Sequence, residues 1–161
     1  MRPKAGSAAD RKLLGKIDRV GWTLLYITGD APWPDFGFTV GLFANYHHPE
    51  ITLVGIGRDG TAAVLTRIAE QVRDGRSFDA VHEFDNVLQN GYGCRFWTVP
   101  NRLHGDHFGT AIWFYQGVPF PVLQVFIPDV QGAYPWQPGF SGDARAQLLK
   151  GDSLRSPTMR E

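Results

Sequence analysis

Hydrophobic and polar positions change period several times along this chain, and each change predicts an element. Leu13, Leu14, Ile17 and Val20 recur on one face of a helix. Ser7 is placed to cap it, Asp10 sits in its first turn, and Gly21 follows as a stop. The pattern then shortens. Trp22–Thr28 is rich in β-formers, residues 29–35 carry the glycine and prolines of a connection, and Phe36–Leu42 reads as the returning strand. The segment ANYHHPE, Ala44–Glu50, reads as a loop, and Ile51–Ile56 as a third strand. A second helical stripe, Val64, Leu65, Ile68 and Val72, predicts a helix from Asp59 or Thr61 to about Asp74, ended by Gly75. Residues 76–91 are mixed and show no period. Tyr92–Val99 reads as a strand that Pro100 terminates.

The run Ala111–Tyr115 is apolar all round, which suits a buried strand or a buried helix. Asp106 as a cap and Gly117 as a stop favour a helix over His107–Gln116. Val122–Ile127 is the clearest strand. Both of its faces are largely apolar, which predicts a central strand covered on both sides. Gln124 then becomes a buried amide that needs partners. Ala144–Lys150 reads as a last short helical turn, residues 1–6 as a disordered start and 151–161 as a mobile tail. That leaves 7–150 as a single domain. The first three strands are joined too closely for helical crossovers. The fold class is therefore α+β: a mostly antiparallel sheet of about five strands covered by two or three helices.

Composition narrows the function classes. The chain has 161 residues, enough for one domain with a real core. Its 16 basic and 16 acidic residues balance, which argues against nucleic-acid binding. No run of 18 apolar residues exists, so no membrane helix is expected, and residues 1–12 lack the apolar core of a secretory signal. Cys94 is the single cysteine, which rules out an internal disulfide and fits a reducing cytoplasm.

Several groups could carry chemistry. Histidines occur with carboxylates in His47-His48-Pro49-Glu50, in His82-Glu83-Phe84-Asp85 and in His104-Gly105-Asp106-His107, combinations that suit a divalent metal. His104 and His107 are the candidates for one ion, but neither spacing is a specific metal signature, and solvated loop residues are the ordinary explanation. Gly55-Ile56-Gly57-Arg58-Asp59-Gly60 has the GxGxxG pattern between a strand and a helix. Without a run of parallel β-α units it reads as a tight turn, with Gly57, Arg58 and Gly60 as a candidate anion contact. Cys94 lies inside a predicted strand, where a packed thiol is the ordinary outcome. No serine sits in a nucleophile elbow. Trp33, Tyr134 and Trp136 stand among prolines, where aromatics line a ligand pocket or fold over the sheet as lids.

Three stretches carry a family resemblance. FPVLQVFIPDVQGAYPW, within Val118–Phe140, resembles a signature of the bacterial, mainly actinobacterial, family called domain of unknown function 4262. Phe38-Thr-Val-Gly-Leu42 followed by His48-Pro49-Glu50 resembles that family's YT(I/V)GL…HPE segment, with Phe38 in place of Tyr. Gln71-Val-Arg-Asp-Gly75 resembles its VRxG segment. The resemblance spans roughly Gly21–Phe140. It implies a small soluble single-domain protein and no assigned catalytic residues. Two readings follow. One is a binding or accessory module for a small molecule or protein partner, with His48, Glu50, Gln124, Asp129 and Trp136 as candidate ligand contacts. The other is a small enzyme using the histidine and carboxylate loops with a metal or cofactor whose identity no motif specifies.

Overall fold

The computed structural model describes residues 2–154. Its first helix, α1 (Ala8–Val20), begins as its cap requires. The Ser7 hydroxyl accepts the Asp10 amide at 3.1 Å, and Gly21, at φ 100°, closes the helix by donating its amide to the Ile17 carbonyl. Strands β1 (Thr23–Ile27) and β2 (Phe36–Val40) form the expected antiparallel pair. Asp35 ties their connection by accepting from the Tyr26 hydroxyl and the Gly29 amide, both at 2.8 Å.

The remaining strands are β3 (Glu50–Val54), β4 (Arg95–Thr98) and β5 (Val122–Phe126). The order across the sheet is β1-β2-β3-β5-β4, and only the β3–β5 pairing is parallel. The α+β class and the mostly antiparallel five-stranded sheet are as expected. β5 is interior and buried along its whole length, as is its neighbour β3, which holds the middle position.

Helix α3 (Arg58–Arg73) covers one face, packing Leu65, Ile68, Ala69 and Val72 against Ile51, Leu53, Phe96, Leu123 and Val125. It crosses close to β2 at Gly37, where a Cβ would lie 2.4 Å from the Thr61 methyl. The other face packs Phe36, Phe38, Val40, Val54 and Val122 against Ile17, Phe108, Ala111 and Phe114. Each fully buried side chain of this kind contributes about 1.5–3 kcal/mol. A third cluster joins Trp97, Phe126, Tyr134 and Leu148, with Trp136 and Leu154 against it.

Some expectations change. The Ala44–Glu50 segment is not all loop: α2 (Leu42–Tyr46) occupies its first part, and Glu50 already belongs to β3. Five residues are too few to show a helical stripe. The expected helix over His107–Gln116 is helical rather than extended, but it is split into α4 (His104–His107) and α5 (Gly109–Phe114) by Phe108 at φ −118°, ψ 41°. Asp106 lies inside α4 and caps nothing. Strand β4 is shorter than Tyr92–Val99, and Cys94 makes only an isolated bridge to Phe84. Residues 144–147 form turns and no regular helix. Arg2 of the expected disordered start pairs with Asp18. Leu154, in the expected tail, packs on the third cluster; Met1 and 155–161 lie outside the described residues. No helix among the described residues is long and apolar enough to cross a membrane.

Candidate functional site

Glu50 is the chain's most heavily bonded carboxylate. It is 1% exposed at the start of β3, where β2 runs into α2. Its oxygens accept from the Thr39 hydroxyl at 2.8 Å and from the amides of Gly41, Leu42 and Phe43 at 3.0, 3.2 and 3.3 Å. The Tyr115 hydroxyl donates a fifth, short bond. The carboxylate thus caps α2 from a distance, satisfying amides that a five-residue helix cannot satisfy itself. Burial pushes its pKa up, while the bonds from Tyr115, Thr39, Gly41 and Phe43 pull it back. These bonds offset burial only in part, so its pKa stays above the usual carboxylate range, and the five donors are what make a charge tolerable there. Tyr115 is locked in turn: its oxygen accepts the Ala44 amide at 3.1 Å, and burial together with the Glu50 charge holds its pKa far above the usual phenol range.

His48 is also consumed by structure. Its Nδ1–H donates to the Pro49 carbonyl at 2.8 Å, and its Nε2 accepts the Phe78 amide at 2.9 Å. That pins the neutral ring between β3 and the irregular segment after α3, and burial lowers its pKa. Gln124 is fully buried and donates to the Gln147 carbonyl, while its Oε1 is buried without a partner. The Gln147 side chain in turn bonds both the amide and the carbonyl of Ile127 at 3.0 Å. Asp129 organises its own loop by accepting from the amides of Gln131, Ala133 and Ser141 at 3.0, 2.9 and 2.9 Å; these bonds lower its pKa. Trp136 stacks on Tyr134 at 5.1 Å between ring centroids and packs on Trp97 and Phe126. His48 and Glu50 are close in sequence, yet their side chains serve different neighbours. Gln124, Asp129 and Trp136 join neither.

The glycine-rich turn has a packing explanation at Gly55. A Cβ there would sit 1.9 Å from the Ala146 carbonyl oxygen, so another part of the chain occupies the close approach that a phosphate would need. Gly57 caps α3 at φ 85°, Gly60 lies against Ile56, and Arg58 stacks over the Tyr26 ring at 4.5 Å. The histidines are dispersed. His82 pairs with Asp79 at 2.9 Å, His104 bonds the Val99 carbonyl at 3.3 Å and His107 bonds the Leu103 carbonyl at 2.7 Å. Among the described residues no three metal-ligating side chains converge. Cys94 is buried, and burial pushes its thiol up to about 12.

An open cavity of about 680 Å³ lies beside the Glu50–Tyr115 pair, lined by Arg2, Phe43, Ala44, His47, Phe114, Tyr115, Gln116 and Val118. That volume is in the range of small-molecule sites. His47 and Gln116 both stand at φ 54°, in the left-handed region. Among the described non-glycine residues only two asparagines, Asn86 and Asn90, share it. Asparagine tolerates that conformation readily. Histidine is enriched there too, and His47 takes this conformation as the C-cap of α2, its amide directed at the Leu42 and Phe43 carbonyls; Gln116 comes directly after the Tyr115 cap of α5, and both residues border this cavity. Sequence reasoning missed Tyr115, hidden inside an apolar run, and saw His47 only as a metal candidate. The doublet of tyrosine and glutamine before Gly117 is the signal that was available.

The chain matches the family model described as Domain of unknown function (DUF4262) over residues 16–141, and it belongs to that family. No curated protein and no solved structure matches it.

Proposed function

We propose, for this member of the family, a binding module that takes a small ligand in the cavity between α2 and α5. The observation that carries the reading is the open cavity of about 680 Å³ with an aromatic floor of Phe43 and Phe114, set beside a rigid frame. The Glu50 network is that frame: it fixes α2 through three amides and α5 through Tyr115. The chemistry of the neighbours supports binding over catalysis. Tyr115 donates its hydroxyl hydrogen bond to Glu50, His48 uses both ring nitrogens, and the Cys94 thiol is buried. The reading includes a reducing cytoplasm, which the single buried cysteine supports.

A ligand-observed NMR screen of small fragments against the full chain and its Val118→Trp variant tests it. Val118 is 61% exposed on the cavity rim, so an indole there fills the space without disturbing the core. Fragments that bind the parent should lose their signal with Val118→Trp, at an unchanged melting temperature. Equal binding to both proteins would place the ligand site elsewhere.

A further inference from the structure

Resting on the cavity reading, we infer that the ligand is a small organic anion: a carboxylate, or a group of like charge, on an apolar aromatic or acyl body. The lining is one-sided in charge. It contains the Arg2 guanidinium and no aspartate or glutamate. Arg2 is held at the site, its guanidinium 4.9 Å from the centre of the Phe114 ring. Its one acidic partner, Asp18 at 3.1 Å, sits outside the lining, and both side chains are substantially exposed. Water screens such a pair, and a guanidinium has five N–H donors, so a second anion can share it. The His47 ring is exposed and forms no hydrogen bond among the described residues, leaving its N–H for the same anion.

The other polar groups near the cavity do not oppose this. The Glu50 charge lies behind Tyr115 and is already met by five donors. The Tyr115 hydroxyl donates its hydrogen bond to Glu50 and accepts the Ala44 amide, so it has no free donor to offer an anion. Apart from the Gln116 amide, which is uncharged, the rest of the wall is apolar. Phe43, Phe114 and Val118 supply a hydrophobic floor and rim, and Phe43 meets Tyr115 edge to face at 5.8 Å. An inorganic anion would leave that surface unused, and a neutral apolar molecule would leave Arg2 unused. Arg2 lies before, and His47 within, the residues 16–141 that match the family.

The test is calorimetric titration of the full chain with benzoate, hexanoate, benzamide and inorganic phosphate. At least one of benzoate and hexanoate should bind at least tenfold more tightly than both benzamide and phosphate, and the tighter of the two anions distinguishes an aromatic from an acyl body. Arg2→Gln should weaken that anion about fivefold or more, and added salt should weaken it in the parent. Equal binding of benzamide overturns the anionic part of the inference. Equal binding of phosphate overturns the apolar part. If none of the four binds, the inference fails, and the cavity reading survives only where Val118→Trp still removes other fragments.

Discussion

The two ends of the parallel pair β3–β5 handle their surroundings in opposite ways. At the carboxyl ends lie the glycine-rich turn and the aromatic-proline loop, the two features that look most like a site in the sequence. There the chain has filled its own crevice: the Ala146 carbonyl lies against Gly55, Gln147 is bonded to Ile127, and Trp136 is packed on Trp97 and Phe126. At the amino ends, Glu50 and Tyr115 form a buried, fully bonded frame, and the space beside it is open. In open α/β sheets ligands collect outside the carboxyl ends of parallel strands. That expectation needs helical crossovers that leave the crevice free. In this sheet the C-terminal segment occupies the approach to Gly55, so that motif is architectural; a smaller cavity of about 240 Å³ remains at the carboxyl end of β5, beside Ile127 to Val130, and the larger one of about 680 Å³ lies at the other end.

The comparison can be broken at either end, and the largest effect is expected at Glu50. Glu50→Ala strands five donors in a buried setting, and urea denaturation should show a loss of about 3 kcal/mol or more. A loss below about 1 kcal/mol would mean that the frame is not what holds α2. At the opposite end, Trp136→Ala should cost about 2 kcal/mol while leaving fragment binding at the cavity unchanged, measured by denaturation and NMR on the same variant. Weakened fragment binding with intact stability would return the site to the carboxyl ends. Tyr115→Phe removes one hydroxyl from the Glu50 network and should cost about 1–2 kcal/mol, with the Ala44 amide exchanging faster with deuterium.

The smallest effect is a pH dependence at His48. Burial lowers its folded pKa below its unfolded value of about 6.5. Above that pH the ring is neutral in both states and the contribution is complete. As pH falls through about 6.5, the unfolded chain takes up the proton first, and stability is lost down to the folded pKa. Denaturation curves between pH 7 and pH 5 should fall less steeply for His48→Gln than for the parent. His104, whose pKa is also lowered by burial, adds a slope of the same sign to both proteins. Parallel curves would mean that the Phe78 bond is not what His48 maintains.

Legibility in the sequence followed locality. The cap and stripe of α1, the stripe of α3 and the apolar alternation of β5 are set by neighbours within a few residues, and each was readable. Helix α2 was not, because its cap comes from Glu50, beyond its own C-terminus. The split between α4 and α5 was hidden because Phe108 carries no breaker signal of its own and its non-helical ψ is set by packing. The cavity was harder still. It needs Arg2, His47 and Tyr115 together, and nothing short of the fold brings those three positions to one place. Trp136 is the converse case: an aromatic among prolines reads as a pocket wall or as a lid over the sheet, and the ring packs as a lid in a small satellite core.

Gln147 has a kinetic meaning. Its amide matches the N–H and C=O of Ile127 as a further strand would, while its neighbour Ala146 lies against Gly55 at the end of β3, so the segment is fully seated only when β3 and β5, far apart in sequence, are side by side. The segment is therefore a latch that closes after the sheet is assembled. Interactions absent from the folding transition state govern how fast a protein opens, not how fast it folds. Gln147→Ala should speed unfolding and leave the folding rate unchanged, making this short stretch of turns the part of the chain that sets the native state's lifetime.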